Sequence, residues 1–408
     1  MNQNIRERYI QFFHFVHTRF VLAKNYLKKI LGLQSNGEFP DNMMTRYLLK
    51  ELLLYFTVTF FVFFVVFFVN QILLLAESIL QKHVSLWSVV KLITYCLPFI
   101  IAQSAPFATL VGFLMCIGRM MSSNEILIMR ASGFGYKMIL KPVLFLGMFI
   151  SIFSFFVNDY LLPLGTINYT KLYRDILRSN PSIEIEPNSI KRTNDSTFVI
   201  GDVIGNDISD MVIFDSGKDG KQRVIIADDC NISKPQKNGI VMQMYMNDAN
   251  VLLLGKNKRK DFDFLKADLL SFNVFESSFF DSNNGVSPRE MTSFDLYNQI
   301  QKLKKDEKTP PKKLNQYMLE FNKKFSIPFG SLFFALLAMP LAIIFGKHNG
   351  QTIGLIIGIF ISFLYWAFMI LGQIFASRSG QGAFISMWLP NLLVSFFGLF
   401  FYMVLGRK

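Results

Sequence analysis

Long apolar stretches without a charged residue constrain this chain of 408 residues more than any other feature. A helix needs about 20 predominantly apolar residues to cross a bilayer core. Six windows free of Asp, Glu, Lys and Arg come close to or exceed that length: Leu52–Ala76, Leu92–Gly118, Pro142–Asn158, Phe325–Gly346, Asn349–Ser377 and Ser379–Gly406. The third is short, but apolar residues resume after Asp159, which we place at a membrane interface. The sequence therefore predicts a polytopic α-helical membrane protein with six transmembrane helices, three on each side of a long insertion.

The placement of charge argues against nucleic-acid binding, although the formal net charge is +13. The insertion between the third and fourth windows is nearly neutral, and the surplus of Lys and Arg lies beside the apolar windows. Basic residues in short loops mark the cytoplasmic side of a membrane protein. Their distribution predicts that both termini are cytoplasmic and that the insertion lies on the opposite side. The short-loop residues expected on that opposite side are Lys82, Lys91 and Arg378.

The insertion, residues 165–310, has the pattern of a β domain. Short runs rich in β-branched and aromatic residues alternate with clusters of Gly, Asn, Asp and Lys. The predicted strands are Thr197–Ile200, Met211–Phe214, Arg223–Ala227, Gly239–Met246, Val251–Leu254 and Leu269–Phe275. A helix is expected over Met291–Lys305. Several short strands without intervening helices indicate a sandwich or jelly roll.

The remaining segments complete the predicted organisation. Residues 1–45 interleave apolar and basic residues, which suits a cytoplasmic amphipathic helix on an anionic leaflet, and a solvated or partner-bound helix is the alternative. Residues 46–164 would hold the first three transmembrane helices, with a short cytoplasmic helix near 122–133. Residues 311–408 would hold a linker and the last three.

Sites for covalent chemistry are not recognisable in the sequence. No phosphate-binding GxxxxGK[ST] motif occurs, and the four His and three Cys residues are scattered. We therefore predict no catalytic residue, no metal site and no cofactor. Ionisable residues inside membrane helices mark ion-coupled transporters, and the six windows contain none. Energy for any transport would have to come from a partner.

The cytoplasmic stretch between the second and third windows is the best candidate for a docking element. Ser122 and Glu125 have the spacing of a capping box, and Gly133 could end the following helix in a left-handed conformation. The helix would carry a run of apolar residues, Ile126, Leu127, Ile128 and Met129. Such a helix could insert into a groove of a cytoplasmic protein. The alternative is an interfacial helix lying flat on the membrane.

Several stretches, taken in order, resemble one membrane-protein family. They are Arg46-Tyr47-Leu48-Leu49-Lys50-Glu51, Ala105-Pro106-Phe107-Ala108, Gly118-Arg119, Ser123-Asn124-Glu125, Met129-Arg130-Ala131-Ser132-Gly133 and Ala338-Met339-Pro340-Leu341-Ala342. The family is that of the YjgP/YjgQ permeases, the LptF and LptG subunits of the lipopolysaccharide-export ABC transporter. The similarity extends over residues 44–406.

The resemblance implies a function as a permease subunit without its own ATPase site. In that family, two homologous permeases form a heterodimer in the inner membrane around a lipid cavity, above a dimer of a cytoplasmic ABC ATPase. Periplasmic β-jellyroll domains pass lipopolysaccharide, or here a related glycolipid, to a periplasmic jellyroll bridge protein. The short helix would be the coupling helix. The residues expected to couple to the ATPase are Glu125, Arg130, Ile126 and Met129.

One departure from the family concerns lipid recognition. Relatives carry basic residues around span one, whereas Leu52–Ala76 carries no charge. Lys82, Lys91 and Arg378 are the candidates for contact with an anionic headgroup, and ordinary interfacial charges are the alternative. The LptF-like role is slightly favoured over the LptG-like one. Two other functions stay open: an envelope lipid- or glycan-modifying enzyme, with Asp228 and Asp229 as its densest carboxylate pair, and a structural anchor.

Overall fold

A computed structural model of the chain describes residues 43–79, 85–179, 187–193, 196–216, 222–233, 240–254, 262–275, 287–306 and 309–406. The amphipathic helix predicted in residues 1–45 lies almost entirely outside the described residues, and so does Lys82.

Helices make up both ends of the described chain. Before the insertion they are α1 Met43–Ile79, α2 Leu86–Ser122, α3 Glu125–Ala131, α4 Tyr136–Phe156, a π-helical turn Val157–Leu161 and α5 Leu162–Ser179. After it come a 3₁₀ turn Pro288–Glu290, then α6 Ser293–Lys305, α7 Pro311–Phe345, α8 Gly350–Ser379 and α9 Ala383–Gly406. Six helices of the described part are long and apolar enough to cross a membrane, with α4, the π turn and α5 counted as one. The predicted six spans are confirmed, and we number them one to six.

Spans two and four form the interior of the helical part. Most residues in the apolar stretches of α2 and α7 are buried, whereas few of those in spans one, five and six are. Span five packs on span two through glycines: a Cβ on Gly354 would lie 2.7 Å from the Leu114 carbonyl oxygen, and one on Gly358 would lie 2.9 Å from Val111 Cγ2. Small residues allow such close approach of membrane helices. The GxxxG step therefore serves a contact within this chain.

The insertion forms an antiparallel sheet, which confirms the predicted β domain. Its strands are β1 Ser189–Arg192, β2 Ser196–Ile200, β3 Val203–Ile204, β4 Asp207–Ser216, β5 Gln222–Ser233, β6 Ile240–Leu254 and β7 Phe262–Phe275. They lie in the order β1-β2-β4-β5-β6-β7, and β3 pairs with β4. Apart from β3, the strands lie side by side in their order along the chain, so β1 and β7 form opposite edges.

Alternation of side chains along the strands builds the core of the sheet domain. On β5, Ile225 and Ala227 are buried and Ile226 between them is exposed, as expected for a strand with one covered face. The buried set comprises Phe198, Ile200, Ile208, Met211, Ile213, Ile225, Ala227, Cys230, Ile232, Met242, Met244, Met246, Ala249 and Val274.

A row of exposed aspartates interrupts this alternation at one level of the sheet. The paired residues on either side bring Asp210, Asp228, Asp248 and Asp268 to the same level on four neighbouring strands, β4 to β7, where the pairing of the strands is interrupted. Asp210 and Asp248 have positive φ, at 57° and 49°. Asp tolerates this left-handed conformation better than most residues do. Asp228 and Asp229 are both exposed, because the alternation is broken here.

Candidate coupling site

The chain reverses direction between α2 and α3 at Asn124, whose φ of 61° is left-handed. The predicted capping box is wrong. Ser122 is still the last residue of α2, and its hydroxyl donates to the Arg119 carbonyl oxygen at 3.0 Å. Glu125 is then the first residue of α3 rather than its third, so the reciprocal bonds of a capping box cannot form. Asn124 can adopt this left-handed conformation because its short polar side chain tolerates positive φ.

Arg119, in the last turn of α2, connects α1 to the start of α3. Its Nη2 lies 3.0 Å from Glu51 Oε2 on α1, and its Nη1 lies 3.4 Å from Glu125 Oε1. Ser123 Oγ lies 2.8 Å from the same Glu125 oxygen. The two arms of the guanidinium therefore bind two carboxylates that belong to different helices.

Tyr55 adds a second contact between Arg119 and span one. It lies one helical turn after Glu51 on α1, and the Arg119 Cζ is 5.9 Å from the centre of its ring. A cation over an aromatic face is attracted by the ring electrons. The side chains of Glu51, Arg119 and Glu125 are partly exposed. Ion pairs of this kind stabilise a fold by about 1 kcal/mol or less. Their main effect is to fix where α3 begins relative to span one.

The α3 helix presents two of its apolar residues outward. Leu127 and Ile128 are 53% and 62% exposed, and Met129 is half-buried. Ile126, which the resemblance also assigns to ATPase coupling, is fully buried within the chain. It anchors the helix to the protein, because a helix of only seven residues needs tertiary packing to be stable.

Arg130 connects the end of α3 to the beginning of α4. Its Cζ lies 4.2 Å from the centre of the Tyr136 ring, and it donates a hydrogen bond to the Tyr136 hydroxyl. Tyr136 is the first residue of α4, so this contact joins α3 to the start of span three. Gly133 has a φ of +90° and provides the left-handed turn between them.

The last turn of α2 is also held against span five. Gly118 precedes Arg119, and a Cβ added to it would lie within 3.3 Å of three backbone atoms of Gly350. Gly350 is the first residue of α8 and follows Asn349, which has a φ of 49°. Spans one, two, three and five therefore converge on the short segment that carries α3.

The candidate headgroup residues lie elsewhere. Lys91 is exposed on α2, with its Nζ 5.7 Å from the centre of the Trp87 ring. Arg378 is exposed in the last turn of α8. Across the described ranges, no group of three or more His, Cys, Asp or Glu side chains is arranged to hold a metal ion.

Sequence reasoning assigned Glu125 to this site but missed two of its members. Glu51 and Arg119 stood in the motifs that carried the family resemblance, yet neither was named as a site residue. The available signal was that Glu51 and Arg119 directly adjoin predicted spans, and that Glu125 follows Arg119 by six residues. The structure brings those three charges together.

Comparison with known proteins assigns the chain to a family. The family model of the lipopolysaccharide export system permease LptF/LptG matches residues 46–404, a range that includes Glu51, Arg119 and Glu125. A search of curated proteins found no match. Because the family match covers nearly the whole chain, and because six apolar helices flank an antiparallel sheet, the chain belongs to the LptF/LptG family of lipopolysaccharide export permeases, multi-pass proteins of the inner membrane.

Proposed function

We propose that this chain is a permease subunit of an ABC exporter that extracts lipopolysaccharide or a related glycolipid from the inner membrane. The exporter passes the lipid through a periplasmic bridge toward the outer membrane. The observation that carries the proposal is the Glu51–Arg119–Glu125 chain of ion pairs at the base of α3. It fixes where the short helix α3 begins relative to span one.

An ATPase partner supplies the energy in this proposal. The sequence has no phosphate-binding motif of its own, and α3 exposes Leu127 and Ile128 to the surroundings. Apolar side chains that project from a short helix fit a groove on a partner protein. Glu125 and Arg130 flank these residues and make the polar contacts, with Met129 beside them and Ile126 as the internal anchor.

A homologous permease completes the lipid cavity. Spans one, five and six leave broad apolar faces exposed. One part of these faces suits contact with the acyl chains of the lipid, and another part suits contact with a second permease. With both termini in the cytoplasm, the sheet domain is periplasmic and hands the lipid to a jellyroll bridge protein. Lys91 and Arg378 lie where they could meet an anionic headgroup as it leaves the membrane.

The test is co-purification. The chain is co-expressed with a homologous permease and the ABC ATPase, isolated through a tag on this chain, and assayed for bound ATPase and ATP hydrolysis. Glu125→Ala and the double variant Leu127→Ala/Ile128→Ala should lose most of the ATPase while the second permease stays bound. Lys141→Ala, an exposed cation on α4, is the matched control and should behave as wild type.

Two outcomes would change this proposal. If the wild-type permease pair is folded and carries no ATPase, the exporter function fails, and an envelope enzyme or anchor becomes the better hypothesis. If Glu125→Ala retains the ATPase but loses hydrolysis that depends on lipid, the residue acts in coupling rather than in docking.

A further inference from the structure

A second ion pair joins spans three and four at the end of the spans that leads to the sheet. Asp159 Oδ1 lies 3.4 Å from Lys324 Nζ, and both residues are buried. A buried charge is costly unless it is paired and hydrogen-bonded. The groups around the pair therefore have to compensate for the cost of burying its two charges.

Two prolines explain why Lys324 and Asn158 meet. Pro328 lies four residues after Lys324 and has no N–H, so the Lys324 carbonyl oxygen lacks its helical donor. In the π turn, the Leu162 N–H bonds to the Val157 carbonyl oxygen and skips Asn158. The next residue, Pro163, has no N–H to give, so the carbonyl oxygen of Asn158 is also left without a helical donor.

Each of the two side chains satisfies the carbonyl freed in the other helix. Asn158 Nδ2 donates to the Lys324 carbonyl oxygen at 3.1 Å, and Lys324 Nζ donates to the Asn158 carbonyl oxygen at 3.4 Å. The defects in spans three and four thus complement each other. Sliding one helix along the other would leave both carbonyls unpaired in a buried setting, which is unfavourable.

Asp159 extends this network to a third helix. Its Oδ1 accepts from the Ser293 N–H at 2.7 Å, and its Oδ2 accepts from the Ser293 hydroxyl at 3.0 Å. Ser293 is the first residue of α6, where backbone N–H groups have no helical partner and an anion is favoured. Asp159 therefore holds the beginning of α6 against spans three and four.

Helix α6 is the element through which the chain returns from the sheet to span four. The turn before it is attached as well: Arg289 lies over the Phe99 ring at 4.7 Å, and Glu290 Oε1 lies 2.9 Å from Thr170 Oγ1. The buried residues Leu296 and Ile300 pack on Tyr317 of α7. Asp159 is the point at which this returning segment joins the buried pair between the spans.

We infer that Asp159 and Lys324 are positioning residues that couple the packing of spans three and four to the position of α6. While the pair is closed, α6 is held on the spans. When the spans shift, the pair opens and α6 is released with the sheet domain that it follows. A buried, hydrogen-bonded network suits such a switch because it has two discrete states rather than a continuous range. The link to lipid movement rests on the proposed function.

Hydrogen exchange of α6 in the full-length protein tests the linkage directly. Asp159→Asn retains an acceptor for the Ser293 N–H but removes the charge. We expect exchange in residues 293–305 to become faster by on the order of tenfold, with other regions unchanged. Since Asp159→Asn alone leaves Lys324 charged and buried, the double variant Asp159→Asn/Lys324→Gln tests the same effect without a lone buried charge. The matched control is Glu320→Gln, which breaks a more exposed pair with Lys323 on the same helix and should leave α6 unchanged.

The assembled transporter provides the second measurement. In the complex with the partner permease and ATPase, the double variant should release several-fold less lipid per ATP hydrolysed, at an unchanged thermal midpoint. Unchanged exchange in α6 would overturn the linkage, and unchanged lipid per ATP with faster exchange would overturn the coupling. If the wild-type complex hydrolyses ATP but moves no lipid, the proposed function fails, whereas the exchange comparison still decides whether the linkage exists.

Discussion

A Cβ added to Gly118 would lie 2.3 Å from the carbonyl oxygen of Gly350, so these two glycines bring spans two and five into backbone contact. The neighbouring atoms belong to the backbone and cannot turn aside as a side chain could. The contact lies directly beside Arg119, in the last turn of α2 before α3 begins.

Gly118→Ala should therefore destabilise the helical part. We expect a loss of about 1–3 kcal/mol, the usual cost of overpacking, measured as a lower thermal midpoint in detergent by size-exclusion chromatography. Gly135→Ala is the control, since no atom lies within 4 Å of its added Cβ. Equal midpoints for the two variants would contradict the close contact.

Arg119→Lys tests whether the forked guanidinium matters. A lysine ammonium is a single point of charge and cannot bind Glu51 and Glu125 through two separate arms. The fold should lose about 1 kcal/mol or less. ATP hydrolysis by the assembled transporter should fall several-fold, and Arg119→Met should lower it further. Lys137→Met, an exposed cation on the same side, serves as the control. Wild-type hydrolysis in Arg119→Met would rule out a coupling role.

Asp248→Asn should stabilise the sheet domain. Asp248 lies between Asp228 and Asp268 on adjacent strands, and like charges at the same level of a sheet repel. Asn keeps the tolerance for positive φ. The gain should be roughly 0.2–1 kcal/mol and should shrink at high salt. Asp263→Asn is the matched control, because Asp263 is paired with Leu253. A gain of the same size in both variants would exclude cross-strand repulsion as the cause.

The rate at which Cys230 is alkylated can report on unfolding of the sheet domain. Burial raises the pKa of its thiol to about 12, with Asp207 adding to the effect. Relative to an ordinary thiol of pKa 9.0, the reactive thiolate at pH 8 is reduced on the order of a thousandfold. In a Cys96→Ala/Cys116→Ala background, alkylation should be very slow in the native protein and fast in urea.

The pH dependence of Cys230 follows from the same shift. The raised pKa means that the folded state favours the neutral thiol, so this contribution to stability is present below pH 9 and is lost as the pH rises toward about 12. Cys230→Ala should flatten the fall in stability over that range. Rapid alkylation of the native protein at pH 8 would show that Cys230 is not buried in solution.

The spans were predictable because the bilayer imposes a local rule on composition. The helices nevertheless extend beyond the charge-free windows: α1 includes Glu51 and α2 includes Arg119. These charges are tolerated because they pair with each other at the helix ends. A window that stops at the first charged residue cannot anticipate such pairing.

Most strands were also predictable from short β-rich runs between turn residues, but β1 and β3 were not predicted and several boundaries differ. The cluster of Asn and Asp after Met246 indicated a turn, whereas β6 continues from Ile240 to Leu254. Asp248 takes a positive φ at this point, which lets the strand bend and resume without a break.

The pairings within the candidate sites could not be predicted from the sequence alone. Glu51 and Arg119 are 68 residues apart, and Asp159 and Lys324 are farther apart still. In the sequence, each of these charges adjoins an apolar window, and nothing near it identifies its partner. Local patterns specify the type of an element, whereas pairing depends on how distant elements pack.

The strand order gives the sheet domain two points of attachment rather than one. The chain reaches β1 from α5, which continues span three, and it leaves β7 toward α6, which leads into span four. Since β1 and β7 are opposite edges, the two membrane connections lie at opposite sides of the sheet. Two covalent connections, one at each edge strand, restrict rotation of a domain more than a single connection would. Along the chain, span three connects to the sheet at β1, and span four connects to it at β7 through α6.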